Sequence, residues 1–127
     1  MTGIFKALGD DNRLRILNLL SLEELCVCEI EVMLDLTQSN VSRHLAKLRS
    51  AGVINSYKDG QWMHYKISDD FKNEHALLVD YLMQMFGQIP VYDQDKNRYE
   101  AYDKSTFTCQ TIRADRESVM SYLEAVK

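Results

Sequence analysis

The sequence predicts a mainly helical domain that carries one small β-hairpin, an α+β class. Apolar residues recur at helical spacing through most of the chain, and one segment, VINSYKDGQWMHYKI, alternates on both sides of an Asp-Gly pair. The size of the chain agrees with this class. Its 127 residues, 46% of them hydrophobic and 27% charged, are typical of one domain with an apolar core.

Three helices are predicted before the first basic segment. Their apolar positions are Ile4, Phe5 and Leu8 in the first helix, Leu14, Leu17, Leu19 and Leu20 in the second, and Val27, Ile30 and Leu34 in the third. Gly9 can end the first helix, and Asp10 or Asp11 can cap the second, which runs to about Ser21. Cys26 falls just before the third helix and Cys28 lies off its buried stripe. Helical positions i and i+2 point about 200° apart, so a helix would hold these two thiols away from each other.

A fourth helix is predicted within TQSNVSRHLAKLRSAGV, with Thr37 or Ser39 as its cap. Its inward row is Val41, Leu45 and Leu48, and its outer face and flanks carry Ser39, Ser42, Arg43, Ala46, Lys47 and Ser50. Such a small, polar and basic face suits a helix in a DNA major groove, although it is equally typical of an ordinary solvated face. His44 points toward the flank of the core, which leaves both a structural role and a DNA contact open.

The predicted hairpin favours the DNA-binding interpretation. Asp59-Gly60 predicts a type I′ turn, whose two central residues need positive φ. In that register Ile54 pairs with Tyr65, Ser56 with Met63 and Tyr57 with Trp62, so that Ile54, Met63, Tyr65 and Ile67 share the core face and Tyr57, Trp62, His64 and Lys66 the other. Short helices, a basic helix and a hairpin with a basic tip, in that order, describe a winged helix-turn-helix.

The segment after the hairpin predicts a dimer. A helix over 69–86 begins after Ser68, ends at Gly87, and is apolar nearly all round from Ala76 to Phe86, so it must be buried on more than one side. Because a small chain has few elements to cover it, we expect a homodimer formed through the first helix and this one. A central core helix of a monomer is the alternative.

The only proline, Pro90, suggests a boundary in the chain. Residues 1–87 are predicted to form the DNA-binding and dimerisation domain. Residues 88–127 are predicted to form a C-terminal extension that is partly helical, most clearly over 113–126, and that carries Cys109.

Charge is distributed unevenly along the chain. The net charge is −4, but residues 37–67 hold five basic residues and one acidic residue, a net +4, which leaves −8 on the remainder. A basic segment on an acidic body can contact phosphate locally while the body limits indiscriminate binding. The sequence shows neither a membrane-spanning stretch nor a signal peptide, and a cytoplasmic protein with three reduced cysteines is expected.

Four segments together resemble one family. FKALGDDNRLRILNLL, ELCVCEI, SNVSRHLAKLRSAGVI and KDGQWMHYKIS, in this order, look like the ArsR/SmtB metal-responsive repressors, and in particular their arsenical-resistance branch. The resemblance covers about residues 2–86. It implies a homodimeric winged-helix protein that represses its own operon on a palindromic operator and leaves when a metal or metalloid binds. No cofactor is expected to be needed for DNA binding.

The resemblance also assigns roles to individual residues. The predicted DNA contacts are Gln38, Ser39, Ser42, Arg43 and His44 in the recognition helix, with Lys47 on its flank, and Lys58, Gly60 and Gln61 at the tip of the wing. Cys26 and Cys28 match the thiols that ligate As(III) or Sb(III) in this branch and Cd(II) or Pb(II) in a sister branch.

The sequence departs from the family pattern at Glu31, where many arsenical repressors have a third cysteine. A hard carboxylate is a poor substitute for a thiolate toward a thiophilic metalloid. We therefore predict an S3 site of Cys26, Cys28 and Cys109, with the tail folding back in its own subunit or crossing to the other. The alternative for Cys109 is a small buried apolar residue. Zinc or nickel on the long C-terminal helix is disfavoured, because that helix offers only His75 with Glu74 and Asp80.

Three further hypotheses follow from these cysteines. In the predicted mechanism, ligand binding draws Cys26 and Cys28 together by unwinding the first turn of the third helix, which disturbs the recognition helix. A repressor that senses thiol oxidation is the rival hypothesis, and Cys109 would then be the resolving partner. An enzyme is not predicted, because the sequence has neither a C-x-x-C pair nor an activated lone cysteine beside a base.

Overall fold

The computed structural model describes residues 1–126, which form nine helices and three strands. In chain order these are α1 (Thr2–Leu8), α2 (Asp11–Leu22), β1 (Leu25–Cys26), α3 (Val27–Leu34), α4 (Gln38–Ser50), β2 (Ile54–Asp59), β3 (Trp62–Ile67), α5 (Asp69–Glu74), α6 (Ala76–Phe86), α7 (Pro90–Lys104), α8 (Cys109–Ala114) and α9 (Arg116–Glu124). No helix in the described range is long and apolar enough to cross a membrane.

The N-terminal helices confirm the predicted boundaries closely. Asp10 is the N-cap of α2, and its carboxylate accepts the backbone N–H groups of Asn12 (2.9 Å) and Arg13 (3.1 Å). α3 begins at Val27, as its apolar spacing predicts. A short side-chain acceptor at the N-cap satisfies amide groups that otherwise have no partner in the first turn, which is why α2 begins where it does.

The predicted hairpin is present, but its register differs from the prediction by two residues. Ile54 pairs with Ile67, Tyr57 with His64 and Asp59 with Trp62, so the turn lies at Gly60-Gln61. Only Gly60 of these two has positive φ (63°). A shift of two preserves the two faces of each strand, because side chains alternate. However, Met63 pairs with Lys58 near the tip and is 37% exposed, so its predicted place in the core is wrong.

A third strand completes the sheet in the order β1-β3-β2. β1 has only two residues, and it pairs antiparallel with β3, Leu25 with Tyr65 and Cys26 with His64. The sequence analysis did not predict this strand. It joins the segment that carries the first cysteine directly to the wing.

The predicted helix over 69–86 is divided in two. Its N-terminal part, α5, begins after the cap Ser68, and the backbone departs from helical geometry at His75 (φ −126°, ψ 44°). α6 buries Leu82 and Phe86, whereas Leu77 is 87% exposed and Tyr81 58% exposed. The apolar face of α6 is therefore covered on only one side within the described chain.

The C-terminal extension is helical and packs on α2 and α3. Arg15 of α2 donates to both carboxylate oxygens of Asp95 on α7, at 2.8 and 3.0 Å, and Asn18 donates to the backbone carbonyl of Tyr92 at 3.0 Å. Val119 and Leu123 of α9 are fully buried. The extension thus shares one apolar core with the N-terminal helices.

Candidate thiol site and nucleic-acid interface

The inward row of α4 fixes its polar face toward solvent. Val41, Leu45 and Leu48 are at most 1% exposed. The predicted contacts on this helix that are exposed are Gln38, Ser39, Ser42, Arg43 and Lys47. Thr37 caps the helix by accepting the N–H of Asn40, so the predicted alternative cap Ser39 is free to face outward. Exposure is what a role in DNA contact requires, and that role stays a prediction.

His44 does not lie on the exposed face. It is 4% exposed, accepts a hydrogen bond at Nδ1 from Arg13 Nε (3.2 Å), and has Nε2 4.0 Å from Asp10. Burial lowers its pKa, which favours the neutral ring. Burial favours the structural role for His44 over the alternative of a DNA contact, because the inward packing of α4 turns the ring away from the exposed face.

Residues at the tip of the wing are open to solvent. Lys58, Gly60 and Gln61 are all exposed, and the Cβ position of Gly60 meets no atom within 4 Å. Glycine is therefore needed at this position for its positive φ rather than for close packing. Beneath the tip, Tyr57 and His64 stack across the strands with ring centroids 5.3 Å apart.

The three cysteines meet in one cluster. Their sulfur atoms all lie within 4.8 Å of one another, although Cys109 is 83 residues from Cys26 in sequence. Cys26 and Cys109 are joined in a disulfide, and Cys28 is a free, buried thiol whose Sγ lies 3.5 Å from Cys26 Sγ. The expectation of three reduced thiols is therefore wrong for the state described here, because the tail folds back in its own chain onto Cys26.

Cys26 and Cys28 meet without any unwinding of α3. Cys26 is the N-cap, with an extended backbone (φ −94°, ψ 168°), and its N–H donates to Glu29 Oε1 at 3.0 Å. The angle of about 200° between positions i and i+2 applies only when both residues are helical. The predicted need to unwind the first turn is therefore wrong.

Electrostatics around the free thiol keep it protonated. Burial, with a smaller contribution from the charge of Glu29, raises the pKa of Cys28 to about 11 against the opposing positive charge of Arg113. A protonated thiol is a weak nucleophile, so Cys28 is a poor target for oxidants compared with an exposed thiolate.

Glu31 is engaged by the tail rather than by the cysteines. Its Oε1 lies 3.6 Å from Arg116 Nη1, and Arg116 also donates to the backbone carbonyl of Leu36 at 3.1 Å. Burial raises the pKa of Glu31, and the charges of Arg116 and Arg113 oppose that rise. Where the resemblance leads one to expect a third thiol, Glu31 instead anchors α9.

Two basic residues near these sites were missed by the sequence analysis. Arg13 ties α1 to the recognition helix, because it donates to the carbonyls of Lys6 (3.2 Å) and Ala7 (3.1 Å) as well as to His44. Arg113 lies over the ring of Trp62, 5.3 Å from its centroid. The one available signal for Arg113 is its position four residues after Cys109, one turn along a short helix.

A helix-turn-helix with an exposed polar helix and a basic hairpin defines a winged-helix DNA-binding regulator. The profile described as "Bacterial regulatory protein, arsR family" matches residues 10–56. The arsenical resistance operon repressor of Escherichia coli (strain K12) is 45% identical over 78 residues, which cover 61% of this chain and 67% of that protein. The cadmium resistance transcriptional regulatory protein CadC of Listeria innocua is 43% identical over 70 residues, 54% of this chain and 59% of that one.

Solved structures agree with this class. HlyU from Vibrio cholerae is 34% identical with a TM-score of 0.60, covering 68% of this chain and 91% of that chain. The homodimeric winged helix-turn-helix domain of Mb0332 from Mycobacterium bovis is 26% identical with a TM-score of 0.58, covering 65% of this chain and 77% of that chain. The protein belongs to the ArsR family, and it is accordingly a DNA-binding transcriptional regulator rather than an enzyme.

Coverage of the relatives differs from one to the next. The chain spans about two thirds of the E. coli repressor but only 51% of the arsenic resistance regulator ArsR1 of Pseudomonas putida, to which it is 48% identical. Cys109 lies outside the stretch that the family profile matches. The family profile therefore bears on the helices from α2 to α4 and on the first two cysteines, and not on the tail.

Proposed function

We propose that this protein is a homodimeric repressor that binds a palindromic operator and is released when As(III) or Sb(III) binds to Cys26, Cys28 and Cys109. The observation that carries the proposal is the cluster of three sulfur atoms within 4.8 Å. Relatives named for arsenical resistance support the choice of a metalloid.

The donor set fits a soft, thiophilic ligand. Three thiolates are the donors that such an ion prefers, whereas the nearby carboxylates are hard donors. Glu29 Oε1 accepts the N–H of Cys26 and lies 3.1 Å from Cys26 Sγ, and Glu31 pairs with Arg116. The Cα atoms of Cys26 and Cys109 are 7.4 Å apart, beyond the usual disulfide range of about 4.4–6.8 Å. A soft ion held by both sulfur atoms would span this separation without the direct S–S bond that the structure holds.

The dimer is supported by the apolar surface of α1 and α6. Phe5 is 55% exposed, Leu77 87% and Tyr81 58%, and large apolar side chains grouped on two helices are typical of a protein interface. The Mb0332 domain described as homodimeric has the same winged-helix fold. In a dimer the two copies of α4 would read the two halves of a palindrome.

Ligand and operator would oppose each other through α3. This helix carries Cys28 near its start and is followed, after a short turn, by α4. A change at the sulfur cluster would thus alter the support of the recognition helix, with a coupling of about 1–3 kcal/mol that is reciprocal between the two sites.

The decisive experiment is operator binding by fluorescence anisotropy, with protein reduced by a phosphine so that no added thiol competes for the ligand. We expect As(III) and Sb(III) to weaken operator binding by wild type, and Cys26→Ser, Cys28→Ser and Cys109→Ser each to abolish that response. Parallel titrations with Cd(II), Pb(II) and Zn(II) test the alternative inducers. A wild-type response to arsenite in Cys109→Ser would refute the three-thiol site and leave the family assignment intact.

Redox sensing is a second candidate, favoured by the Cys26–Cys109 disulfide. Its formation removes two electrons and two protons from the two thiols, which a peroxide would accept. Cys28→Ser separates the candidates, because it removes a metalloid donor but leaves the oxidisable pair. If oxidation governs the repressor, peroxide will weaken operator binding by Cys28→Ser as much as by wild type, and arsenite will affect neither.

A further inference from the structure

We infer that Arg113 is a positioning residue that transmits the state of the cysteine cluster to the DNA-contacting wing through its contact with Trp62. This inference rests on the proposed function, since it concerns how the ligand site acts on operator affinity. It adds a route that does not pass through α3.

The placement of Arg113 follows from the short helix α8. Cys109 is the first residue of α8, and Arg113 lies one turn later in the same helix. Arg113 Cζ is 5.3 Å from the centroid of the Trp62 ring, within the range of a cation–π contact. A bond from Cys109 into the cluster therefore also fixes where Arg113 meets the wing.

Trp62 connects the exposed tip of the wing with the strand β3. It is the first residue of β3, pairs with Asp59, and follows directly after Gln61 at the exposed tip. The same strand pairs with β1 at Cys26. The wing strand thus meets the cluster twice, by backbone pairing at Cys26 and by the Trp62 side chain under Arg113.

An open cleft of about 180 Å³ connects the ligand site to the predicted DNA contacts. Residues from both parts line it: Cys26, Cys28, Gln38, Gln61, Trp62 and Arg113. Gln38 is the first residue of the recognition helix, and Gln61 belongs to the turn of the wing. The cleft lies where a change at the sulfur atoms can alter both DNA-contacting elements.

The two contacts between the wing strand and the cluster, the β1–β3 pairing and the Arg113–Trp62 contact, differ in how easily they can be altered. β1–β3 pairing uses backbone groups, whereas Arg113 is exposed and contacts Trp62 through its side chain alone. Docking of α8 by Cys109 places the guanidinium on the ring and holds the wing in one position. Release of Cys109 removes one of the two buried anchors of α8, the other being Ile112, so that Arg113 no longer holds the Trp62 ring in one position.

A double-mutant cycle tests this contact. Arg113→Met, Trp62→Leu and the double variant are compared with wild type, and Gln110→Met, an exposed position on the same helix, is the matched control. For each protein, As(III) affinity is measured with and without operator, and the ratio of the two is the coupling factor. Since an exposed cation–π contact is worth about 0.5–1 kcal/mol, Arg113→Met should lower this factor about two- to fivefold.

The coupling factor separates positioning from simple electrostatics. Arg113 also carries a positive charge near the thiols, and loss of that charge would weaken As(III) binding equally with and without operator. An unchanged coupling factor in Arg113→Met would overturn the inference, and so would additive effects of Arg113→Met and Trp62→Leu in the double variant. Failure of the proposed function is distinct, because wild type itself would then show no coupling.

Trp62 provides an independent readout, since it is the only tryptophan in the sequence. Arsenite added to reduced wild type should change its emission, because docking of α8 brings the guanidinium onto the ring. In Arg113→Met the change should be markedly smaller, while Gln110→Met should resemble wild type. Equal changes in Arg113→Met and wild type would contradict the inference.

Discussion

The recognition helix and the C-terminal tail (α7–α9) are attached to the rest of the molecule by different forces. α4 is held by an apolar row that is at most 1% exposed, with the Arg13–His44 and Arg49–Ser56 hydrogen bonds as polar additions. The tail buries apolar residues too, but its helices α7, α8 and α9 are each also tied by a specific pair: Arg15–Asp95, Cys26–Cys109 and Glu31–Arg116.

This difference separates what can be switched from what cannot. Apolar packing is non-directional and offers no group to which a small ligand can bind. Contacts through sulfur or charged groups, in contrast, respond to a soft ion, an oxidant or a change of protonation. The helix proposed to read DNA is therefore built as a fixed support. The tail is attached by contacts that a chemical signal can make or break.

The largest expected effect comes from a pair of matched leucine truncations. Leu45 of α4 and Leu123 of α9 are at most 1% exposed, so each change to Ala should lose transfer energy and leave a cavity, at a cost of about 3 kcal/mol. Leu45→Ala should weaken operator binding severely. Leu123→Ala should loosen the tail and abolish the arsenite response, while operator affinity stays within about threefold of wild type.

Urea unfolding followed by circular dichroism, together with operator anisotropy, measures both outcomes. Ile89→Ala is the control for loss of an apolar side chain that is not buried in the described chain, because Ile89 is 37% exposed and lies outside the proposed dimer surface. An equal loss of operator affinity in Leu45→Ala and Leu123→Ala would show that the tail and the recognition helix form one cooperative unit. It would contradict the proposed difference between a fixed recognition helix and a tail that can be released.

The recognition helix could be predicted from sequence because its signals are local. Its cap, its buried row and its exposed face all follow from residue types within thirteen positions. The hairpin was predicted with the correct faces and the wrong register, since a shift of two residues leaves alternation unchanged. His44 shows the limit of such reasoning, because its burial depends on Arg13 and Asp10 from another helix.

The cysteine cluster could be predicted as a set of residues but not as a geometry. A thiophilic ligand needs a third thiolate, and this requirement predicted Cys109. The position of Cys109 in space, however, depends on how three tail helices fold back onto Cys26, which is 83 residues away in sequence. The convergence of Cys26 and Cys28 depends on the extended backbone of one N-cap residue. The sequence placed Cys26 just before α3, but apolar spacing does not specify the φ and ψ of a residue that precedes a helix.

Arg15→Met tests the strongest charge pair of the tail. Asp95 is 2% exposed, so loss of its partner leaves a buried carboxylate without compensation. We expect the free energy of unfolding to fall by about 2 kcal/mol, less than for a fully buried pair, since the Arg15 side chain is 22% exposed. Adding Asp95→Asn to Arg15→Met should recover part of the loss, because a neutral amide is cheaper to bury. Urea unfolding of the single and double variants measures both, and no recovery would mean that packing of α7 rather than charge holds this contact.

The smallest effect concerns the buried polar contact of the recognition helix, between His44 and Arg13. Burial lowers the pKa of His44 below its ordinary value of 6.5, Asp10 opposes this shift, and Arg13, Arg43 and Lys47 reinforce it. The unfolded chain then binds more protons than the folded one, so stability contributed by neutral His44 is present above about pH 6.5 and is lost as the pH falls toward the lowered pKa. His44→Gln keeps a side chain that can accept from Arg13 but does not titrate. Thermal unfolding from pH 7.5 to 5 should therefore show a steeper fall of Tm in wild type than in His44→Gln. Equal slopes of Tm against pH would mean that acid destabilises the protein through other groups. The Arg13–His44 contact would then contribute no pH dependence to the packing of α4.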